Sequence, residues 1–260
     1  MGPKNLAKIQ NSFMLQAENF ENIEMNFSNQ EYLGYSVKSI VPSQKDNVLE
    51  VAAGTCVFGR TIASFVNSVV CVDATPAMLK IGMETAEKAS IPNIQFLNGF
   101  AEKLPFKDCS FDIVMTRMSF HHFTEIERPF AEMHRVLKKG GKLVIIDMEA
   151  AEQKLRKTAD KIETLRDSAH EKNRSREEFL SLYRRYGYQI LKQESTPIPV
   201  SLQAWMNLTK TSEKVQTQIR NLMQNDIWKG IKTGFAPYLK NNEIYFNQRW
   251  LFLMGTKEIV

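Results

Sequence analysis

Five short apolar runs recur through about 100 residues of this chain, with helical patterns between them. They are Val48-Leu49-Glu50-Val51, Val69-Val70-Cys71-Val72-Asp73, Ile94-Gln95-Phe96-Leu97, Phe111-Asp112-Ile113-Val114-Met115 and Lys142-Leu143-Val144-Ile145-Ile146-Asp147. After the first, Phe58, Ile62, Phe65 and Val66 repeat at helical spacing. After the second, Thr75-Pro76 supplies an N-cap with proline at the first helical position. Before the fifth, Ile126, Phe130, Met133 and Leu137 mark one face of a helix over 124–137, which Gly140-Gly141 ends. Strands alternating with helices in this way imply a parallel sheet covered on both faces, a doubly wound α/β fold.

The flanks divide the rest. Residues 1–42 are polar and helix-compatible, carry Phe13, Phe20, Phe27, Tyr32 and Tyr35, and are set off by Pro42; they read as an N-terminal helical lid. Residues 43–260 form the main domain, with a cofactor half at 43–150, a helical insertion at about 150–175 and an acceptor-pocket half at 176–260. Leu155, Ile162, Leu165 and Ala169 mark the inserted helix. Ser175 and Glu178 make a capping box for the next helix, Gly187 is placed to end it, and 188–191 reads as a sixth strand. Residues 201–240 read as short helices, and 243–246 with 250–254 as a closing strand or hairpin.

A net charge of +5 invites a nucleic-acid reading, but acids and bases alternate through 154–178, the pattern of a solvated helix face; no nucleic-acid partner is expected. There is no apolar run of about 18 residues to span a membrane and no apolar leader in MGPKNLAKIQNSF. The three cysteines, Cys56, Cys71 and Cys109, lack metal-type spacing and read as reduced thiols of a cytoplasmic protein.

The run VLEVAAGTCVFGR carries the first chemical signal. In an open α/β sheet, ligands lie beyond the carboxyl ends of the strands, and a glycine turn there lets backbone approach them. Asp73 stands 19 residues beyond Gly54, where a carboxylate accepts both hydroxyls of a ribose. Both features also fit NAD. A pyrophosphate, however, needs three small residues at a helix N-terminus, and here Ala52 and Cys56 hold two of those places. Glu50 adds a negative charge that repels phosphate and suits a sulfonium. The charge argument favours S-adenosylmethionine.

These segments, with VVCVDATPAML, NIQFLNGFAEKLPFKDCSFDIVMTRMSFHHF and EMHRVLKKGGKLVIID, resemble the class I methyltransferases, more closely the ubiquinone/menaquinone-biosynthesis-type branch and its relatives of unassigned substrate. RDSAH at 166–170 and the pattern through Trp205 and 244–257 resemble one subgroup. The resemblance implies a Rossmann-like seven-stranded sheet with an antiparallel last strand. It implies that Glu50, Ala52, Gly54 and Cys56 surround the methionine end of the cofactor and that Asp73 holds the ribose. Ala74 and Met78 flank the adenine, Gly99, Phe100, Ala101 and Glu102 close over it, and Thr116 and Arg117 lie by the methionine portion. Two departures stand out: Cys56 replaces a glycine and crowds the cofactor, and Phe100 replaces the aspartate that receives the adenine amino group.

Methyl transfer is an in-line displacement that depends mainly on positioning, with a general base where the acceptor needs one. His122 and His121 follow the fourth strand on the ligand side, and His170 shares a helix face with Asp167 at i, i+3; these are the candidate bases, with His134 structural. Tyr32, Arg166, Asp167 and Trp205 are expected to bind a small, partly apolar methyl acceptor, and Tyr32 with Tyr35 also to cover the sulfonium. Met206, Met223, Phe235 and Trp228 suit the same apolar pocket. His121-His122 lack the companions of a metal site, so no metal is expected. A non-catalytic S-adenosylmethionine-binding protein, an NAD-dependent oxidoreductase and an RNA methyltransferase are the alternatives.

Overall fold

The computed structural model describes residues 3–21 and 25–258. Each apolar run forms a strand: β1 (Asn47–Val51), β2 (Ser68–Asp73), β3 (Ile94–Asn98), β4 (Phe111–Arg117) and β5 (Leu137–Met148). All five are parallel, in the order β3-β2-β1-β4-β5. The sheet continues through β8 (Glu243–Lys257) to β6 (Tyr188–Ser201), and β8 is antiparallel to both neighbours. The seven-stranded sheet with an antiparallel last strand that the resemblance implies is therefore present, with a short eighth strand, β7 (Tyr238–Lys240), paired to β8.

One local expectation is resolved and two are corrected. Residues 243–246 with 250–254, read as a closing strand or hairpin, are one continuous strand, and a hairpin joins β7 to β8 through Asn241 and Asn242. Both asparagines have positive φ, 51° and 65°, as a two-residue hairpin loop requires. Gly140-Gly141 does not end a helix: α5 (Glu127–Val136) stops earlier, Leu137 already pairs with Phe111, and the glycines lie where the β5 register shifts against β4. The segment 201–240 holds one long helix rather than only short ones, α9 (Glu213–Lys229), after α8 (Leu202–Leu208).

The remaining helices are α1 (Pro3–Gln16), α2 (Gln30–Ile40), α3 (Val57–Ile62), α4 (Pro76–Lys88), α6 (Arg156–Arg166) and α7 (Arg176–Arg185). Pro76 opens α4, although the Thr75 hydroxyl makes no cap bond. The Ser175–Glu178 capping box opens α7, and Gly187 follows its end at φ 69°. Neighbouring strand residues go to opposite layers. Val48, Ile113 and Met115 pack with Phe58, Ile62 and Trp205, whereas Leu49, Val51 and Val114 pack with Phe130, Phe179 and Tyr183. Among the described residues no helix is long and apolar enough to cross a membrane.

The inserted helix is shorter than its pattern implies. α6 ends at Arg166, and Asp167 is extended, with Oδ1 accepting the Ala169 N–H at 2.8 Å. An aspartate that bonds its own backbone two residues on competes with the helix. Asp167 and His170 therefore share a turn, not a helix face.

Candidate active site

Strand order reverses between β1 and β4, and a cavity opens beyond their carboxyl ends. Glu50, Ala52, Gly54, Asp73, Ala74, Met78, Gly99, Phe100, Ala101, Glu102 and Arg117 line it. So do Leu6, Ile9 and Phe13 of α1, with Phe20, Phe27, Met118 and His122. Helix α1 is tied down there by Gln10, whose Nε2 donates to Ala74 O at 2.8 Å.

The first turn explains its own sequence. Ala52, Gly54 and Cys56 have φ of 52°, 57° and 59°, so alternate residues all occupy the left-handed region that favours glycine. At Gly59 an added Cβ would sit 2.6 Å from Cys71 Sγ and 2.8 Å from Glu50 Oε2, so the start of α3 can approach β1 only there. The Gly59 N–H donates to Glu50 Oε2 at 2.7 Å. Burial raises the Glu50 carboxyl to about 7, against the pull of Arg117 and that N–H. Burial also lowers Arg117 to about 10; its guanidinium donates to Phe27 O at 2.7 Å. Asp73 accepts from the Gly54 N–H on Oδ2 at 2.8 Å and from the Thr75 N–H on Oδ1 at 2.7 Å. Burial raises its carboxyl, and those two bonds oppose the rise.

Two of the expected cofactor residues lie elsewhere. Cys56 does not line the cavity: it is buried, with its thiol 3.6 Å from Gly54 O, so it does not crowd the space as expected. Thr116 is buried behind the wall, with its hydroxyl paired to that of Ser119.

Beyond β4 the chain turns through Met118, at φ 54°, into the 3-10 turn of Phe120–His122. Asp147, at the end of β5 and 1% exposed, anchors that turn. Its Oδ2 accepts the Ser119 and Phe120 N–H groups at 3.0 and 2.6 Å, and Oδ1 accepts the Met148 N–H at 2.7 Å. His121 Nδ1 lies 2.6 Å from Oδ1. Burial alone would raise the Asp147 carboxyl, but His121 and the backbone donors outweigh it and hold it below its ordinary range.

A second, smaller cavity adjoins the first. His121, His122, Arg166, Asp167 and Trp205 line it together, with Met118, Met148, Leu208, Gln16 and Gln248. Phe13, Phe20, Phe27, Met118 and His122 belong to both cavities. Burial, then the neighbouring His121, push His122 down to about 3, so its neutral ring donates from Nδ1 to Ala169 O at 2.9 Å. Burial opposes ionisation of Asp167, but Arg166 and His122 outweigh it and hold the carboxyl at about 2. Asp167 also accepts from Ser12 Oγ at 2.8 Å and from Gln16 Nε2 at 3.4 Å. The Arg166 guanidinium stands 4.6 Å from the centre of the Trp205 ring. A third cavity, lined by Glu163, Asn173 and Phe235, shares Met148 and Gln248 with the second.

Two expected acceptor-side residues are not part of this arrangement. Tyr32 lies in a separate groove with Tyr35, packed edge-on against Trp250 at 5.9 Å, so it does not cover the first cavity. The rings that do are Phe13, Phe20 and Phe27, the last two stacked at 5.0 Å. His170 lines neither cavity; its Nε2 faces Asp160 Oδ1 at 3.4 Å. Met206 and Met223 are fully buried in the core, and Trp228 is 61% exposed. Asp147 was missed, although an acid at the carboxyl end of the fifth apolar run was its visible signal.

Residues 49–145 match the methyltransferase domain family. The chain is 31% identical to the uncharacterized protein YafE of Escherichia coli over 175 residues, 67% of this chain and 84% of that one. The chain belongs to the class I S-adenosylmethionine-dependent methyltransferases. This class I methyltransferase is also 29% identical to the uncharacterized methyltransferase YcgJ of Bacillus subtilis, over 75% of this chain and 78% of the other. The crystal structure of that protein superimposes with a TM-score of 0.80 at 26% identity, covering 89% of this chain and all of its own. Over 106 residues, the methyltransferase is 38% identical to the ubiquinone/menaquinone biosynthesis C-methyltransferase UbiE of Ectopseudomonas mendocina, across 39% of this chain and 41% of that one. Membership of this family sets aside the oxidoreductase alternative.

Proposed function

We propose that the chain binds S-adenosylmethionine in the first cavity and passes its methyl group to a small, partly apolar acceptor in the second. The shared wall carries this reading: Phe13, Phe20, Phe27, Met118 and His122 border both spaces, so a group at the methionine end of one cavity opens on the other. The residues fit the cofactor. Asp73, with four acceptor sites on its carboxylate, keeps capacity for a ribose hydroxyl. Ala74, Met78, Phe100 and Ala101 offer an apolar slot for the purine. Glu50 and Arg117 lie at the methionine end, where a buried carboxylate favours a cation and repels phosphate. The cofactor supplies a methyl group on positively charged sulfur.

The chain's own contribution is to position the acceptor and exclude water. Helix α1 does the second, with Leu6, Ile9 and Phe13 over the cofactor cavity and Ser12 and Gln16 bonded to Asp167; we read residues 1–42 as a lid. Burial in a mostly apolar pocket with a few polar groups suits a small molecule. Calorimetry with S-adenosylmethionine, S-adenosylhomocysteine and NAD tests the first half of the proposal, and only the first two should bind. A turnover screen over phenols, quinols, amines and thiols tests the second. Cofactor binding without turnover across all four classes favours a non-catalytic binding protein.

A further inference from the structure

Two adjacent histidines face the second cavity, and their hydrogen bonds give them opposite capacities. His122 commits its Nδ1–H to Ala169 O at 2.9 Å. Its ring packs against His121 at 4.1 Å and edge-on against Phe13 at 4.9 Å, an apolar and crowded place for a second proton. His121 has a different setting. Its Nδ1 meets Asp147, an anion fixed by three backbone N–H groups, and its Nε2 has no hydrogen-bond partner among the described residues. With Nδ1–H turned to the carboxylate, His121 presents the Nε2 lone pair, and the anion behind it stabilises the imidazolium formed when that nitrogen takes a proton.

His122 and His170 lie beside His121 with their rings tilted to it, Asp147 faces its Nδ1, Asp167 and Arg166 line the same cavity, and the Glu171 and Lys172 backbone N–H groups donate to His121 O. Arg174 lies beyond Asp147 and donates to Phe123 O. Two donors in the second cavity's wall have nothing to donate to. Trp205 Nε1 and Arg166 Nε are buried and have no acceptor among the described residues. Buried donors left unpaired are costly, and a ligand oxygen would satisfy them.

We infer that the methyl acceptor is a weakly acidic hydroxyl compound, a phenol or an enol, and that His121, backed by Asp147, takes its proton while Trp205 and Arg166 receive the oxygen anion. The inference rests on the second cavity holding the acceptor. In the step the O–H bond breaks, a bond from Nε2 to hydrogen forms, and the electron pair stays on oxygen. The positive charge gained by His121 faces the Asp147 carboxylate. An acceptor with no proton to lose would use neither the base nor the two donors.

The test uses the full chain saturated with S-adenosylhomocysteine and titrated with 4-nitrophenol, whose ionised form has its own visible absorption. Bound nitrophenol should ionise about tenfold more readily than the free compound, a shift of about one pH unit. His121→Gln, whose amide still donates to Asp147, should bind the probe and lose that shift. Asp147→Asn should reduce it, with circular dichroism reporting whether that variant folds. His134→Gln should change nothing, because His134 lies on α5 against the Tyr188 hydroxyl. Nitrophenol that stays outside the saturated protein, that binds and ionises like the free compound, or that keeps its shift in His121→Gln overturns the inference. Failure of S-adenosylhomocysteine to raise the melting temperature is a separate result, and it removes the cofactor reading instead.

Discussion

Asp73 reaches back from the end of β2 to accept the Gly54 N–H at 2.8 Å, while its other oxygen takes the Thr75 N–H at 2.7 Å. One carboxylate thus closes the first turn and the start of α4 together. Asp73→Ala is expected to weaken S-adenosylhomocysteine binding by about 2–3 kcal/mol, roughly 30- to 150-fold, because charge-assisted bonds to ribose are lost. Asp73→Asn, which keeps one acceptor, should fall between. Calorimetry on folded variants checks both, and an unchanged affinity would assign Asp73 to the turn alone.

If the first cavity holds the cofactor, Glu50 is expected to make cofactor affinity depend on pH. Burial places its carboxyl at about 7, so the empty site loses negative charge as pH falls through neutrality. Affinity for the cationic sulfonium should drop by up to about tenfold per unit below pH 7, while the uncharged thioether product changes much less. The stability linkage has the matching sign. A folded value above the ordinary 4.5 gives a contribution that is full below about 4.5 and lost as pH rises through 7. A bound cation favours the carboxylate and offsets that loss. Parallel titrations of the two ligands from pH 6 to 8 decide the matter, and identical slopes would sink it.

Cys56 holds φ 59° at a position where glycine is at ease, but its thiol points away from the cofactor cavity. Cys56→Gly should therefore leave cofactor affinity within about threefold, with relief of backbone strain, about 1 kcal/mol, offsetting the lost burial of the thiol. Cys56→Val should destabilise by about 2 kcal/mol or more, since a β-branched residue resists the left-handed region. Melting curves of the two variants separate the backbone requirement from side-chain packing.

The first cavity was legible because it is built from local rules. Strand ends, a turn of residues with positive φ and an acid 19 positions on are all adjacent in sequence, and the parallel sheet fixes where they converge. The acceptor side depends on tertiary packing. Tyr32 and Phe13 are equally plausible covers from composition, and only the seating of α1 against Ala74 and Asp167 decides for Phe13. The pattern around Asp167 and His170 read as helix because its spacing is helical, yet the Asp167 side chain captures the Ala169 N–H and the helix ends at Arg166. Asp147 was hidden for a different reason. An acid closing a buried strand is ordinary until the 3-10 turn of Phe120–His122 folds onto it.

Trp205 allows the acceptor cavity to be tested through stability as well as binding. Its ring is fully buried, edge-on to Phe235 at 5.5 Å and Phe246 at 5.2 Å, yet its indole N–H has no acceptor among the described residues. An unpaired buried donor costs about 1–3 kcal/mol, so the free protein carries a penalty that a ligand oxygen would relieve. Trp205→Phe keeps an aromatic ring in place and removes the donor. We expect the variant without acceptor to lose less than about 1.5 kcal/mol, well under the roughly 3–5 kcal/mol of a large aromatic truncation, because the relieved penalty offsets the lost packing. Affinity for a hydroxyl acceptor should fall by about 1–3 kcal/mol, while S-adenosylhomocysteine, whose cavity Trp205 does not line, binds as before. Chemical denaturation measures the first change and a nitrophenol titration the second. If Trp205→Phe costs more than about 3 kcal/mol of stability and leaves nitrophenol binding intact, Trp205 is a packing residue and the oxygen of the acceptor is received elsewhere.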